Sequence, residues 1–252
     1  MNNNRALVQK FFETDPYEGF EYLQHQCDLQ GWGYENPILY DAIKLIRPSL
    51  IFEVGSWKGA SAIRMAQCLR EQGIPGCIIC VDTWLGAPEH FMVRDHADYF
   101  QSLKFKHGYP QLYYQFLANV MHSGVQDIIV PLAQTSGNAA TILKELGLKA
   151  NLIYIDGSHN YTDVYLDLRE YWELLTLDGV LIGDDYHFIW HGVVRAVKQF
   201  SKERGLRYFL SKEKFLFRKS EKFQLDPCVE EKDLYWDGEA GEYRALPSQF
   251  RP

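Results

Sequence analysis

Five short apolar runs in the middle of the chain constrain its fold more than any other feature. They are Ser49–Val54, Cys77–Asp82, Asp127–Leu132, Asn151–Asp156 and Gly179–Asp184. Each is rich in β-branched or aromatic residues and continuously apolar, as strands covered on both faces require. Helix-period segments stand between them. Ala60–Glu71 puts Ala62, Ile63, Ala66 and Leu69 on one stripe and stops near Gly73. Gln111–His122, Asn138–Leu146, Thr162–Leu175 and Gly192–Lys202 read the same way. Strand alternating with helix means a parallel sheet with helices on both faces. The last pair, Arg207–Leu210 and Lys214–Phe217, is joined by a short polar turn and reads as an antiparallel hairpin. The expectation is an α/β chain: a doubly wound, seven-stranded sheet, mostly parallel, closed by that C-terminal hairpin.

The 252 residues, 46% of them hydrophobic, suffice for one such domain with additions and exclude disorder of the whole chain. A net charge of −7 argues against nucleic acid or an anionic membrane as partner. No apolar run approaches the ~18–20 residues of a membrane span, and Met1–Phe20 has none of the features of a signal peptide. Cys27, Cys68, Cys77, Cys80 and Cys228 are an odd, scattered set, which fits a reducing, cytoplasmic setting. The Cys77-x-x-Cys80 spacing invites a metal or redox reading, but on a strand these side chains point to opposite faces, so both read as core. Three additions flank or interrupt the domain at 37–218: a helical N-terminal cap over 1–36, an insertion over 83–110 and a polar tail over 219–252. The insertion is too long for an ordinary connection and carries Trp84, Phe91, Tyr99 and Phe100, as a lid would. The tail reads as an arm, a dimer contact or a mobile end.

Acidic residues mark the strand ends. Glu53, Asp82, Asp156 and Asp184 all fall at or beside the carboxyl ends of the expected parallel strands, where the ligand crevice of an open α/β sheet lies. The first strand runs into Glu53-Val54-Gly55-Ser56-Trp57-Lys58-Gly59-Ala60-Ser61-Ala62, a glycine-rich turn into a helix whose free amides face an anionic group. Its G-x-x-x-G spacing departs from the dinucleotide fingerprint, and no Gly-Lys-Ser/Thr follows. Alone, such a turn equally well just closes a strand–helix unit. Asp82, ending the next strand, adds an acid that can accept two hydrogen bonds from a ribose diol.

With that pair, the stretch from about Pro37 to Arg218 resembles the class I S-adenosylmethionine-dependent O-methyltransferases, a Rossmann-like family. The resemblance implies that Gly55, Ser56 and Gly59 surround the methionine moiety, with Ser61 at its carboxylate and Glu53 near its amino group. It implies that Asp82 holds the ribose and that the Gln134-Thr135-Ser136 turn touches the adenine.

Asp156-Gly157-Ser158-His159 closes the fourth strand and Gly183-Asp184-Asp185-Tyr186 the fifth. Three carboxylates converging there repel one another unless protonated or bound to a cation, and hard oxygen donors suit magnesium or manganese. An acidic crevice without an ion stands as the alternative. The arrangement is similar to the metal-dependent branch of the family, the catechol-type and antibiotic-sugar enzymes. This resemblance implies that Asp156, Asp184 and Asp185 bind the ion and that Asp156 also borders the cofactor. Catechol-type enzymes carry Asp-Asn at Asp184-Asp185 and Lys at His159, so the sugar-modifying enzymes match better.

His159, with an ordinary pKa near ~6.5, reads as the general base that takes the acceptor's proton, the alternative being a cap on the following helix. His187, Trp190 and His191 line a pocket or cap a helix; Trp57 and Lys58 stack or pack; Lys202, Arg204 and Arg207 read as solvated surface. The reading is methyl transfer from S-adenosylmethionine, with a divalent ion, to a hydroxyl of a small molecule, a sugar- or polyol-like natural product being favoured. A hydroxylase-like use of the fold and a non-catalytic binding protein are the rivals, and oligomeric state is open.

Overall fold

All five apolar runs fall in adjacent strands of one sheet. The structure, a computed structural model, describes residues 3–92, 97–222, 229–230 and 234–246. Cys228, residues 93–96 of the insertion and parts of the tail lie outside them. In chain order the described elements begin with α1 (Asn3–Phe11), α2 (Ile38–Ile46), β1 (Leu50–Val54), α3 (Ala60–Glu71) and β2 (Cys77–Asp82). The insertion holds α4 (Pro88–Met92) and α5 (Ala97–Ser102), and α6 (Leu112–His122) follows. Next come β3 (Ile129–Ala133), α7 (Ser136–Glu145), β4 (Ala150–Ile155), α8 (Tyr161–Leu174), β5 (Leu175–Gly183) and α9 (His191–Arg204). β6 (Phe209–Ser211) and β7 (Lys214–Arg218) make the hairpin, and β8 (Val229–Glu230), β9 (Leu234–Asp237) and β10 (Glu242–Ala245) belong to the tail.

The sheet order is β3-β2-β1-β4-β5-β7-β6-β8. β1 to β5 are parallel to one another, and β7 runs antiparallel between β5 and β6. These are the seven expected strands, with the two-residue β8 added on the outer side of β6.

Both faces are covered, which is why the strands are continuously apolar. Val8 of α1, Leu143 of α7, Leu168 of α8 and Val197 of α9 pack on one face with Phe52 and Cys77. Ile43 of α2, Leu69 of α3 and Phe116 of α6 pack on the other with Ile51 and Cys80. The two cysteines of β2 are thus core residues on opposite faces, as their spacing implies. Among the described residues no helix is long and apolar enough to cross a membrane.

Two additions differ from expectation. Among the described residues before α2, helix is confined to α1 and one 3-10 turn, Tyr22–Gln24; residues 25–34 are irregular. This stretch lacks a 3.6-residue apolar period, and its backbone is satisfied from elsewhere. Asn119 of α6 accepts from the Asp28 amide at 2.9 Å and donates to the Asp28 carbonyl at 2.6 Å. The tail forms a separate two-stranded sheet, β9–β10, whose Tyr235 ring packs edge-on against His187 and Phe188.

Candidate active site

The strand order reverses at β1, which pairs with β2 on one side and β4 on the other. At that point the following helices leave toward opposite faces and open a crevice outside the strand ends. Gly55 is at φ +86, and a Cβ there would lie 2.0 Å from the Asp156 carbonyl oxygen. Its missing side chain therefore makes room for the end of β4, where a ligand was the expected reason. Trp57 (φ 48), Trp84 (φ 51) and Asp185 (φ 62) also hold left-handed backbone around this crevice, a conformation that costs about 1–3 kcal/mol and persists only where the surroundings enforce it.

Asp82 is the clamp on the glycine-rich turn. Its Oδ2 accepts from the amides of Ser56 (3.0 Å) and Trp57 (2.9 Å), and its Oδ1 from Trp84 (2.7 Å). Oδ2 has no acceptor capacity left and Oδ1 at most one place. A ribose diol at this carboxylate would share it with the amides of the turn. Burial pushes the Asp82 carboxyl up, while the amides pull it back.

Glu53 differs more. It is fully buried beneath the turn, and its carboxylate accepts from Ser56 Oγ at 2.6 Å and Ser61 Oγ at 2.5 Å. Burial raises its pKa and the two hydroxyls oppose that. Ser61 thus has its proton engaged inward, so a bound carboxylate here would meet the amides opening α3 and not that hydroxyl.

Two cavities line the crevice. One, of 360 Å³, is walled by Asp82, Thr83, the Gln134-Thr135-Ser136 turn and Asp167. The other, of 590 Å³, is walled by Ser56, Ser61, Asp156, His159, Asp185 and the aromatic rings of Trp32, Tyr99 and Trp190, among others. Gly55, Trp57, Glu89, His90 and Gly157 border both. Thr135 accepts from the Asn138 amide at 3.2 Å and so caps α7; Ser136 begins that helix.

His159 hangs between two acids. Its Nε2 is 3.0 Å from Asp185 Oδ2 and its Nδ1 3.4 Å from Glu89 Oε1, while Trp190 stacks on the ring at 3.8 Å and 14°. It does not cap α8, whose N-cap residue is Asn160. Burial pulls the imidazole pKa down, but the hydrogen bonds and charges of Asp185 and Glu89 outweigh it, so the net shift is upward. At neutral pH the ring carries more proton than its ordinary value implies.

The remaining carboxylates are neutralised internally. Lys214, at the start of β7 and 1% exposed, donates to Asp184 Oδ2 and, at 2.8 Å, to the Tyr154 hydroxyl. That hydroxyl lies 2.7 Å from Asp184 Oδ2 and 2.9 Å from Asp156 Oδ2. Asp184 Oδ1 accepts from the Asp185 amide at 2.9 Å. Burial, then the charges of Asp184 and Asp185, push the Asp156 carboxyl well above the carboxylate range. The ion-binding set expected from Asp156, Asp184 and Asp185 does not fit a divalent cation. Asp184 has both oxygens taken, Asp185 faces His159, and a buried ammonium already supplies positive charge. Among the described residues no three His, Cys, Asp or Glu side chains form a metal-holding group.

Sequence reasoning missed Tyr154, Lys214, Glu89 and Asp167. Tyr154 and Lys214 read as strand residues and become polar partners only when β4 and the hairpin flank β5. Asp167 sits mid-helix in α8, where an acid normally faces water, yet it is 4% exposed; burial lifts its pKa to about 7. Among the residues left open, Lys58 bridges Asp28 (2.7 Å) and Ser102 (3.0 Å), and Trp57 donates to Gln30 (3.0 Å) and stacks on His90. His187 instead accepts from the Ile189 amide at 3.2 Å, and Arg204 pairs with Glu173 at the surface.

Solved structures share this architecture. An O-methyltransferase from Bacillus cereus in complex with SAH aligns at a TM-score of 0.51 and 14% identity, over 85% of this chain and 94% of that one. The O-methyltransferase NovP aligns at 0.55 and 14%, over 74% and 80%. The O-methyltransferase TomG from Streptomyces achromogenes, in complex with SAM, aligns at 0.53 and 12%, over 86% and 96%. At such identities the likeness is one of fold. No curated protein sequence matches the chain. The sequence profile of the methyltransferase domain matches residues 52–186, more than half of the chain, from within β1 to the turn after β5, and the protein therefore belongs to the methyltransferase-domain family.

Proposed function

We propose that this protein transfers a methyl group from S-adenosylmethionine to a hydroxyl oxygen of a small molecule. The observation that carries the reading is the placement of His159, between Asp185 and Glu89, in the wall of a cavity that shares a border with a second one at the switch point. The smaller cavity suits the nucleoside: Asp82 offers its remaining acceptor place to the ribose, and Thr135 and Ser136 border the base. Gly55 and Ser56 are assigned to the methionine side, with the amides opening α3 toward its carboxylate and Asp156 opposite, whereas Gly59, at φ +87, borders neither cavity and packs against the Phe116 ring. S-adenosylmethionine supplies, when bound, a methyl group on a sulfonium that an oxygen lone pair can attack.

The residues do the rest. His159 is held by Asp185 through Nε2, and the longer contact, Nδ1 to Glu89, is the one an acceptor hydroxyl replaces. The imidazole then takes the hydroxyl proton at Nδ1, and Asp185 stabilises the imidazolium that results. Because the ring's pKa is raised, its neutral form gains population as pH rises above the ordinary histidine range. Trp32, Tyr99 and Trp190 line this cavity, and such an aromatic wall suits a sugar or other ring-bearing polyol and keeps water from the sulfonium.

The test is methyl transfer from radiolabelled S-adenosylmethionine to a panel of sugars, polyols and phenols. Label appearing in an acceptor with wild type and not with His159→Ala supports the proposal. Cofactor binding by calorimetry without transfer to any acceptor class would favour a non-catalytic binding protein.

A further inference from the structure

We infer that the Lys214 ammonium holds the place between the ends of β4 and β5 where the sequence suggests a divalent cation, so that this protein binds no such ion at its site. The inference rests on the methyl-transfer reading of the same crevice. Lys214 reaches this point because β7 runs antiparallel beside β5: Phe215 pairs with Gly183, which sets Lys214 alongside Asp184. Its Nζ contacts Asp184 and Tyr154, and Tyr154 in turn reaches Asp156. One positive charge therefore links the acids of two neighbouring strand ends, which otherwise require a cation.

The N-terminal segment lies against the pair. Gly33 stands at φ +63 with its backbone so close that a Cβ would come within 2.5 Å of Asp184 Oδ2 and 3.2 Å of Lys214 Nζ. Gly33, Asp156, Asp184 and Asp185 all border the 590 Å³ cavity, so it is the ammonium on Asp184, and not a lack of room, that takes the ion's place. Asp185 is turned away by its left-handed backbone toward His159. The acid–base apparatus, His159 with Asp185, is thereby separate from the Asp184–Tyr154–Lys214 group, whose part is to position the β4 and β5 ends.

Mn2+ titration followed by electron paramagnetic resonance tests this without needing an acceptor. Wild type should leave Mn2+ in its free spectrum, while Lys214→Ala, which removes the charge and opens space, should bind one Mn2+ per chain at least about tenfold more tightly. Should the alanine variant not fold, Lys214→Ser, which also removes the charge and opens space, serves for the same comparison. Calorimetry of S-adenosylmethionine binding to wild type should give the same affinity in EDTA and in magnesium. One Mn2+ held by wild type and lost in Asp184→Asn overturns the inference. A folded Lys214 variant that binds no Mn2+ overturns the claim that the ammonium stands in the ion's place. Failure of wild type to bind S-adenosylmethionine under both conditions would instead count against the methyl-transfer reading.

Discussion

Replacing Asp82 with alanine should weaken the fold before it weakens any ligand. The carboxylate takes three backbone amides, from Ser56, Trp57 and Trp84. Two of these residues, Trp57 and Trp84, hold left-handed backbone that needs such an anchor. A hydrogen bond to a charged group contributes about 1.5–3 kcal/mol. Three on one carboxylate do not add fully, and burial opposes its ionisation, so about 3–5 kcal/mol is the loss to expect. Against a global stability of about 5–15 kcal/mol, the variant stays folded with a clearly lower urea midpoint. Asp82→Asn keeps one acceptor oxygen and should fall between wild type and alanine. Urea unfolding followed by tryptophan fluorescence and by circular dichroism gives both numbers, and Trp57 and Trp84 report on the turn itself. Calorimetry with S-adenosylmethionine then follows on the asparagine variant, where one lost ribose contact predicts a roughly tenfold weaker affinity, about 1.4 kcal/mol. A change in unfolding free energy below about 0.5 kcal/mol for Asp82→Ala would refute the clamp, since that is the range of an ordinary surface substitution.

His159→Ala should lower turnover by about a hundredfold or more while cofactor affinity stays within a few fold. In wild type the rising limb of kcat against pH should lie above the ordinary histidine value of about 6.5, and Asp185→Asn, by removing a carboxylate that raises the imidazole pKa, should move that limb to lower pH. Asp167 keeps its proton in the folded state up to about pH 7, whereas the unfolded chain releases it near ~4. The native state thus binds more protons in between, and this contribution to stability is present below about pH 4 and lost as pH rises through about 7. Asp167→Asn should therefore remove about 2–3 kcal/mol of the fall in stability between pH 5 and pH 8, measured by urea unfolding at both values. The insertion over 83–110 should be cleaved more slowly by protease when cofactor and acceptor are bound together; equal cleavage with and without them would count against a lid.

How much of the molecule is legible in its sequence follows from the range of the forces involved. Burial on both faces writes itself into each strand locally, so the runs ending at Val54 and Asp82 and the helix Ala60–Glu71 could be read nearly to the residue. The Arg207–Phe217 segment was equally legible, because a hairpin is specified by its own turn and neighbours. Strand ends drifted where no turn residue marks them: β5 starts at Leu175, directly after α8, and not at Gly179. The N-terminal stretch was misread as helical because its order comes from partners far along the chain, Asn119, Lys58 and Trp57.

At the crevice the division is sharper. The sequence by itself determined that acids would stand at consecutive strand ends, since strand period and strand end are local properties, and it placed His159 beside Asp156. It could not say what those acids would face. Asp82 turns to backbone amides, Glu53 to Ser56 and Ser61, and Asp184 to Lys214, a residue 30 positions away brought alongside by antiparallel pairing. Whether a carboxylate binds a ligand, a cation or its own protein depends on which donor lies within about 3 Å of it, and only the packing of β7 and the N-terminal segment against the parallel strands decided that.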